Sequence, residues 1–243
     1  GNEGDFIVYS DYLSRGGVGI QRLIIGNTRD GKTGLFVEGM HGGGLITDVY
    51  ALSAKGHWQA VSQAEAGGIS SFTMRDSVLA NCRDINEDGI MEIPVPRALM
   101  SDSDVIYKAQ DWYSISSDGE TSFVVSTFHN SSDGWYLVLP PEWRGKVSVR
   151  RHDRTGSRAI IFSYYNSEAE AIEDFLSIYA LTGENRVSMA NYSGRFTVKL
   201  SDGIIYAAEF LPANNNWELR VDRDYINNNF KLIYQDWYIG GGI

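Results

Sequence analysis

The sequence predicts a mainly β protein with an α+β C-terminal part. Short apolar runs of alternating character recur roughly every ten residues through the first half. Gly, Asp and Asn punctuate those runs as turn formers. The 6 Trp, 14 Tyr and 10 Phe are interleaved with Ile, Val and Thr, which suits a pleated, half-buried surface. A chain of 243 residues makes one large domain or two ordinary ones.

Residues 1–98 are expected to form an antiparallel, blade-like β unit. "DFIVYSDYL", "GIQRLIIGN", "GLFVEGM", "LITDVYALS", "GHWQAVS" and "SSFTMRDSVL" are its strand candidates, joined by "NTRDGKTG", "HGGG" and "AEAGG". Gly42, Gly43 and Gly44 read as a flexible joint. They are no phosphate cradle, because neither a Lys-Ser/Thr pair nor a helix follows. Residues 99–111 read as a linker. Residues 112–243 are expected to form an antiparallel sheet with one or two short helices. Hairpins are read at "WYSISSDGETSFVVSTF", at "KVSVRR" with "RAIIFSYY", and at "GRFTVKL" with "IIYAAEFL". Ser167 and Glu170 have the spacing of a capping box, which predicts a helical turn before the strand "FLSIYALTG". Ile226, Phe230 and Ile233 share a helix face near the end.

The formal net charge of −10 and the absence of a basic block argue against nucleic acid as a partner. The one local basic cluster, Val149–Arg158, reads as the two ends of a solvated hairpin. One cysteine, Cys82, precludes an intrachain disulfide and reads as a buried structural thiol. No apolar run is long enough to span a membrane, and no signal peptide is read.

The stretch that states its chemistry is "RDINEDGIMEIPVP", Arg83 to Pro96. Counted from Asp84, positions 1, 3 and 5 are Asp84, Asn86 and Asp88, position 6 is Gly89, and positions 7 and 9 are Ile90 and Glu92. Ca²⁺ takes several oxygens from such a curling loop, with glycine for the sharp turn and a backbone carbonyl just after it. Asp84, Asn86, Asp88, the Ile90 carbonyl and Glu92 are therefore the expected ligands. The loop is no EF-hand: Val95 occupies the place of the twelfth-position glutamate, and Pro94 and Pro96 deny an exiting helix. Lacking that bidentate ligand, the site is expected in the weak regime of roughly 10⁻⁴–10⁻³ M. The alternative is a polar turn, since Asp, Asn and Gly close turns through side-chain bonds to backbone. "GNTRDGKTGLFVE" echoes the loop with Asn27, Asp30 and Gly31, but Arg29 and Lys32 argue against a metal there.

The Asp84 loop resembles the D-x-N-x-D-G-x-x-E loop of FG-GAP/VCBS-type β-propeller blades, which bind Ca²⁺ between strands. The order "RDINEDGIMEIP", "DWYS", "GWYLVLPPEWRGKVSVRR", "LTGENR", "GRFTVKL", "IYAAEF" resembles a family of uncharacterised secreted lipoproteins of Gram-positive bacteria. That resemblance implies export and tethering by a lipid on an N-terminal cysteine that this sequence does not include. It implies no established activity.

The catalytic signatures H-E-x-x-H, G-x-S-x-G and the Walker loop are all missing. His41, His57, His129 and His152 read as solvated residues in or beside turns. Trp143 in "LPPEWRGK" offers a sugar-stacking reading, but the expectation is an anchor that packs the diproline loop. Trp58, Trp112, Trp135, Trp217 and Trp237 are read the same way. The expected function is a non-catalytic exported or cell-surface binding or scaffold protein with a structural Ca²⁺ loop and an unidentified extracellular ligand or protein partner. The alternatives are a hydrolase of cell-wall or polysaccharide substrates and an accessory or sensory domain of a larger exported protein.

Overall fold

The computed structural model describes residues 19–41, 43–63, 68–75, 80–101 and 105–233. The chain is mainly β, 54% strand in three antiparallel sheets, with two short helices among the described residues. The strand candidate "DFIVYSDYL" and Trp237 lie outside the described residues. Two compact units share the chain. The described residues to Val95 join Tyr113–Phe123 in the first, and Pro96–Trp112 joins the described residues from Val124 in the second.

In the first unit, β1 (Ile20–Asn27), β2 (Thr33–His41), β3 (Gly44–Leu52) and β4 (Trp58–Ala60) make an antiparallel meander in that order. Side chains alternate across a strand, so the register sets the faces. Ile24, Phe36 and Val49 are cross-strand partners on one face and pack with Cys82, Ile93 and Ile115. Cys82 is buried as expected, and burial pushes its thiol well up. His41 pairs with Gly44, so β2 and β3 stay in register up to their connection, and Gly42 of the expected flexible joint lies outside the described residues. Gly43 has φ +90°, which only glycine adopts freely.

"SSFTMRDSVL" is not a strand over its described residues. Ile69–Phe72 is a 3₁₀ turn and Arg75 makes one bridge to Leu45. The Thr73 hydroxyl donates to the Ser70 carbonyl and accepts from the Thr47 amide, which draws the backbone away from a ladder. Arg75 is fully buried against Glu38. Its guanidinium also donates to Ala80 O (2.7 Å), Thr73 O (3.1 Å) and Thr47 Oγ1 (3.0 Å). Glu38 accepts in turn from the Cys82 amide at 2.8 Å.

Two further sheets supply the aromatic core of the second unit. One runs β14 (Phe230–Leu232), β8 (Trp135–Leu139), β7 (Thr121–Asn130), β6 (Lys108–Ile115), β5 (Glu92–Ala98). The other runs β12 (Arg195–Ser201), β13 (Ile204–Phe210), β11 (Ala171–Leu181), β10 (Ser157–Asn166), β9 (Val147–Arg154). Phe128, Trp135 and Leu137 from the first meet Ile160, Phe162, Phe175 and Tyr206 from the second. Trp143 is a buried anchor. Its indole donates to Leu219 O at 2.8 Å and stands edge-on to Phe175, so it offers no face to a sugar. Trp112, Trp135 and Trp217 are buried too.

The stretch 99–111, read as a linker, contributes buried Leu99, Ala109, Gln110 and Asp111, and β6 begins within it at Lys108. Ser167 and Glu170 form no capping box. Asn166 takes that role, accepting from the amides of Glu168 (3.0 Å) and Ala169 (3.2 Å), and the chain enters β11 at once. The predicted terminal helix is α2 (Arg223–Asn229), capped by Asp222 accepting from Tyr225 N. It stops after Asn227–Asn229, poor helix formers, and Phe230 continues as strand. A five-residue helix at Arg186–Ala190, α1, was not foreseen.

An uncompensated buried guanidinium is costly. Glu38→Ala is therefore expected to lose roughly 3–5 kcal/mol, and replacing Glu38 and Arg75 together by Met far less. Urea unfolding of the three proteins measures both losses; equal losses would show that the pair is not the buried unit described.

Candidate functional site

The loop from Asp84 to Met91 is closed at its root by a two-residue ladder. Arg83 N donates to Glu92 O at 3.2 Å and Glu92 N to Arg83 O at 2.9 Å. Inside, carboxylates take up the amides that a tight curl leaves unpaired. Asp84 accepts from Asp88 N (3.0 Å) and Gly89 N (2.7 Å), one bond to each oxygen. Asp88 Oδ1 accepts from Ile90 N (2.8 Å), and Asn86 Nδ2 donates to Asp88 Oδ2 (2.9 Å). Gly89 has φ +86°, the turn for which the sequence reserved a glycine. Glu87 shares the left-handed region at φ +63°.

Glu92 differs from the rest. It is 0% exposed, while Asp88 lies at the surface. Its Oε2 accepts from Ile85 N at 2.9 Å, and its Oε1 is buried with no hydrogen-bond partner. Burial, with the charges of Asp88 and Asp84 nearby, pushes this carboxyl up to about 7.

Asp84, Asn86 and Asp88 are thus brought together by direct hydrogen bonds, with Ile90 tied to them through its amide. Glu92 joins through Ile85 rather than through the other carboxylates. Among the described residues, no three His, Cys, Asp or Glu side chains stand together as a metal-holding group. Each loop carboxylate oxygen keeps a lone pair beyond the bond it accepts, and the Glu92 carboxyl feels the charges of Asp88 and Asp84.

One member of the site was missed in the sequence. Asn27 ends β1, donates from Nδ2 to Gly89 O (3.0 Å) and accepts from Met91 N (3.0 Å). It lies 62 residues from Gly89, and no local spacing announces the pair. The echo loop is itself a clasp. Asp30 accepts from Ser117 N (2.9 Å), Ser117 Oγ (2.6 Å) and Thr28 Oγ1 (2.7 Å), which fastens the Ser116–Glu120 turn. Those bonds hold the Asp30 carboxyl well below the usual carboxylate range.

Other chemistry-bearing groups serve packing. Asp111 is held by Arg97 (2.8 Å), Arg144 (2.9 Å) and the Ser126 hydroxyl. Asp133 is neutralised by Arg158. His129, expected in solvent, is buried in β7, stacked on Tyr136 at 5.0 Å and bonded to Thr127 Oγ1. A depression of about 440 Å³ in the second unit is walled by Val187, Leu200, Ile204 and Ile205, with Arg186 and Asp202 among its lining.

No protein-family model matches the chain, and no curated protein does. Among solved structures, the crystal structure of a protein of unknown function from Bacteroides fragilis NCTC 9343 is similar at 12% identity. The match covers 86% of this chain and 97% of that one, with a TM-score of 0.24 that supports no inference about fold or activity. No helix among the described residues is long and apolar enough to cross a membrane.

Asp30 has a lower value folded than unfolded, so its stabilisation is present above about pH 3.9 and is lost as pH falls through the folded value. Its side chain is about a third exposed, and Asp30→Ala is expected to cost about 0.5–1 kcal/mol at pH 7. Urea titrations at stepped pH should show the deficit shrinking in acid. A deficit independent of pH would exclude the ionised clasp.

Proposed function

We propose that this chain is a non-catalytic binding or scaffold protein, exported or at the cell surface, with a loop stiffened by Ca²⁺. The observation that carries the reading is the buried Glu92 oxygen without a hydrogen-bond partner, on a carboxyl that feels the charges of Asp88 and Asp84. A buried carboxylate oxygen left alone is costly, and a dication beside three carboxylates offsets both that cost and their mutual repulsion. Asp84, Asn86, Asp88, the Ile90 carbonyl and Glu92 would hold the ion, with water completing its shell. The ion would brace the corner at which Asn27 ends β1.

A loop of this kind without a bidentate glutamate belongs to the weak, millimolar regime of extracellular modules, which is what supports an exported setting. A scaffold role is supported by the use of Asp111, Asp133, Glu38 and Asp30 as structural partners. The partner would be an extracellular ligand or protein, and a lipid anchor on a longer precursor belongs to the same proposal.

Thermal unfolding with EGTA and with about 10 mM Ca²⁺ tests it. At about a hundredfold over a dissociation constant of about 10⁻⁴ M, the ion should add about 2.7 kcal/mol. Asp88→Ala and Glu92→Gln should abolish that increment. An unchanged melting temperature with Ca²⁺ in the parent protein would overturn the metal and leave a polar turn.

A further inference from the structure

We propose that the depression between α1 and the β12–β13 hairpin in the second unit binds a short apolar peptide by its two charged ends. Its walls come from elements fixed by packing. Leu200 and Ile205 stand directly opposite each other in the β12–β13 register, so they share a face. Ile205 is buried with Leu181, Ala207 and Ala190 of α1. α1 is only five residues long, and Leu200 is left 67% exposed, as is its own Val187 at 55%. These two side chains line one depression of about 440 Å³ with Ile204 and Ile205. They are gathered in a concave place, whereas exposed apolar residues that need no explanation are scattered singly.

Two opposite charges, Arg186 and Asp202, line the same depression. Among the described residues neither enters an ion pair, with the other or with a third group. Both sit on fixed backbone. Arg186 opens α1 and donates from Nη1 to Gly183 O at 2.8 Å, which leaves further guanidinium N–H groups to donate. Asp202 and Gly203 are the two turn residues between Ser201 and Ile204, with φ +43° and +79°. Positive φ at both positions is what a tight two-residue hairpin of this kind requires.

The charges decide the occupant. A simple anion would suit Arg186 but meet Asp202 and a net charge of −10. A simple cation would suit Asp202 but meet Arg186. An uncharged apolar molecule would leave both charges without a counterpart. A ligand with a carboxylate at one end, an ammonium at the other and apolar side chains between them complements all the lining groups. Arg186 and Asp202 do not pair across the depression, so charges held apart by a peptide unit fit better than the two on one carbon of a free amino acid. The volume is also in the range of pockets that take drug-sized ligands. The site shares no residue with the Asp84 loop and stands independently of the calcium reading.

Amide chemical shifts of the full chain, followed in EGTA as leucyl-leucine is added, test the proposal separately from calcium. Saturable shifts centred on Val187, Leu200 and Asp202 are expected. Acetylating the peptide's amino end or amidating its carboxyl end should each weaken binding about tenfold or more. Arg186→Gln should weaken the unmodified peptide to the same degree and lose all further sensitivity to amidation. Asp202→Asn, which tolerates the positive φ, should likewise become insensitive to acetylation. Circular dichroism and thermal melting establish that both variants fold. The absence of saturable shifts up to about 10 mM peptide overturns the proposal. So do blocked peptides that bind as well as the unmodified one, variants that keep full affinity or stay sensitive to their matching end group, or free leucine that binds as tightly as leucyl-leucine.

Discussion

The first unit turns on the buried pair of Glu38 and Arg75. Neither charge is solvated, so each must be satisfied by the fold. Arg75 reaches back to Thr73 O and forward to Ala80 O, and Glu38 takes the Cys82 amide. The backbone around both residues is thereby pinned to β2 and β3. Cys82 leads directly into Arg83, whose ladder with Glu92 closes the Asp84 loop. The position of the candidate site is thus inherited from an ion pair that contributes little net stability itself and acts through geometry.

The Asp84 loop was legible in sequence because its chemistry is local. Asp84, Asn86, Asp88 and Gly89 lie within six residues, and a turn of that size is built from its own side chains. The mainly β class was legible for the same reason, since alternation is a short-range pattern. What escaped was non-local. Asn27 meets Gly89 across 62 positions, and Glu38 meets Arg75 across 37. A glutamate in an alternating strand reads as solvent-facing unless its distant partner is known. His129 was misread likewise, because turn residues follow it while its burial depends on Tyr136 in the next strand.

Short-range signals also misled where two local chemistries competed. Ser167 and Glu170 have helix-capping spacing, yet Asn166 stands one position earlier and captures the same amides. The strand then begins at Ala171, where ten residues of β10 offer ladder partners. Helix α2 shows the converse. Asp222 caps it, but three asparagines leave the helical state weakly favoured just where β8 offers Phe230 a strand partner. Phe230 is buried in the strand, and apolar spacing alone does not distinguish a buried helix position from a buried strand position.

Glu92 unites the turn and the proposed cation site. An aspartate at that position would be one methylene shorter. The glutamate bonds Ile85 N with one oxygen and leaves the second enclosed. The turn explains the first oxygen: it completes a loop in which Asp84 and Asp88 accept from the amides of Asp88, Gly89 and Ile90. It does not explain the second, because a carboxylate raised to about 7 by burial and like charge is a cost the turn could avoid with an amide or an apolar residue. A cation would reverse the sign of that arrangement, making the enclosed oxygen and the two nearby carboxylates attractive to a common centre. On this reading the hydrogen bonds of the turn pre-organise the loop, and the unpaired oxygen is the part of the site that the turn alone leaves unaccounted for.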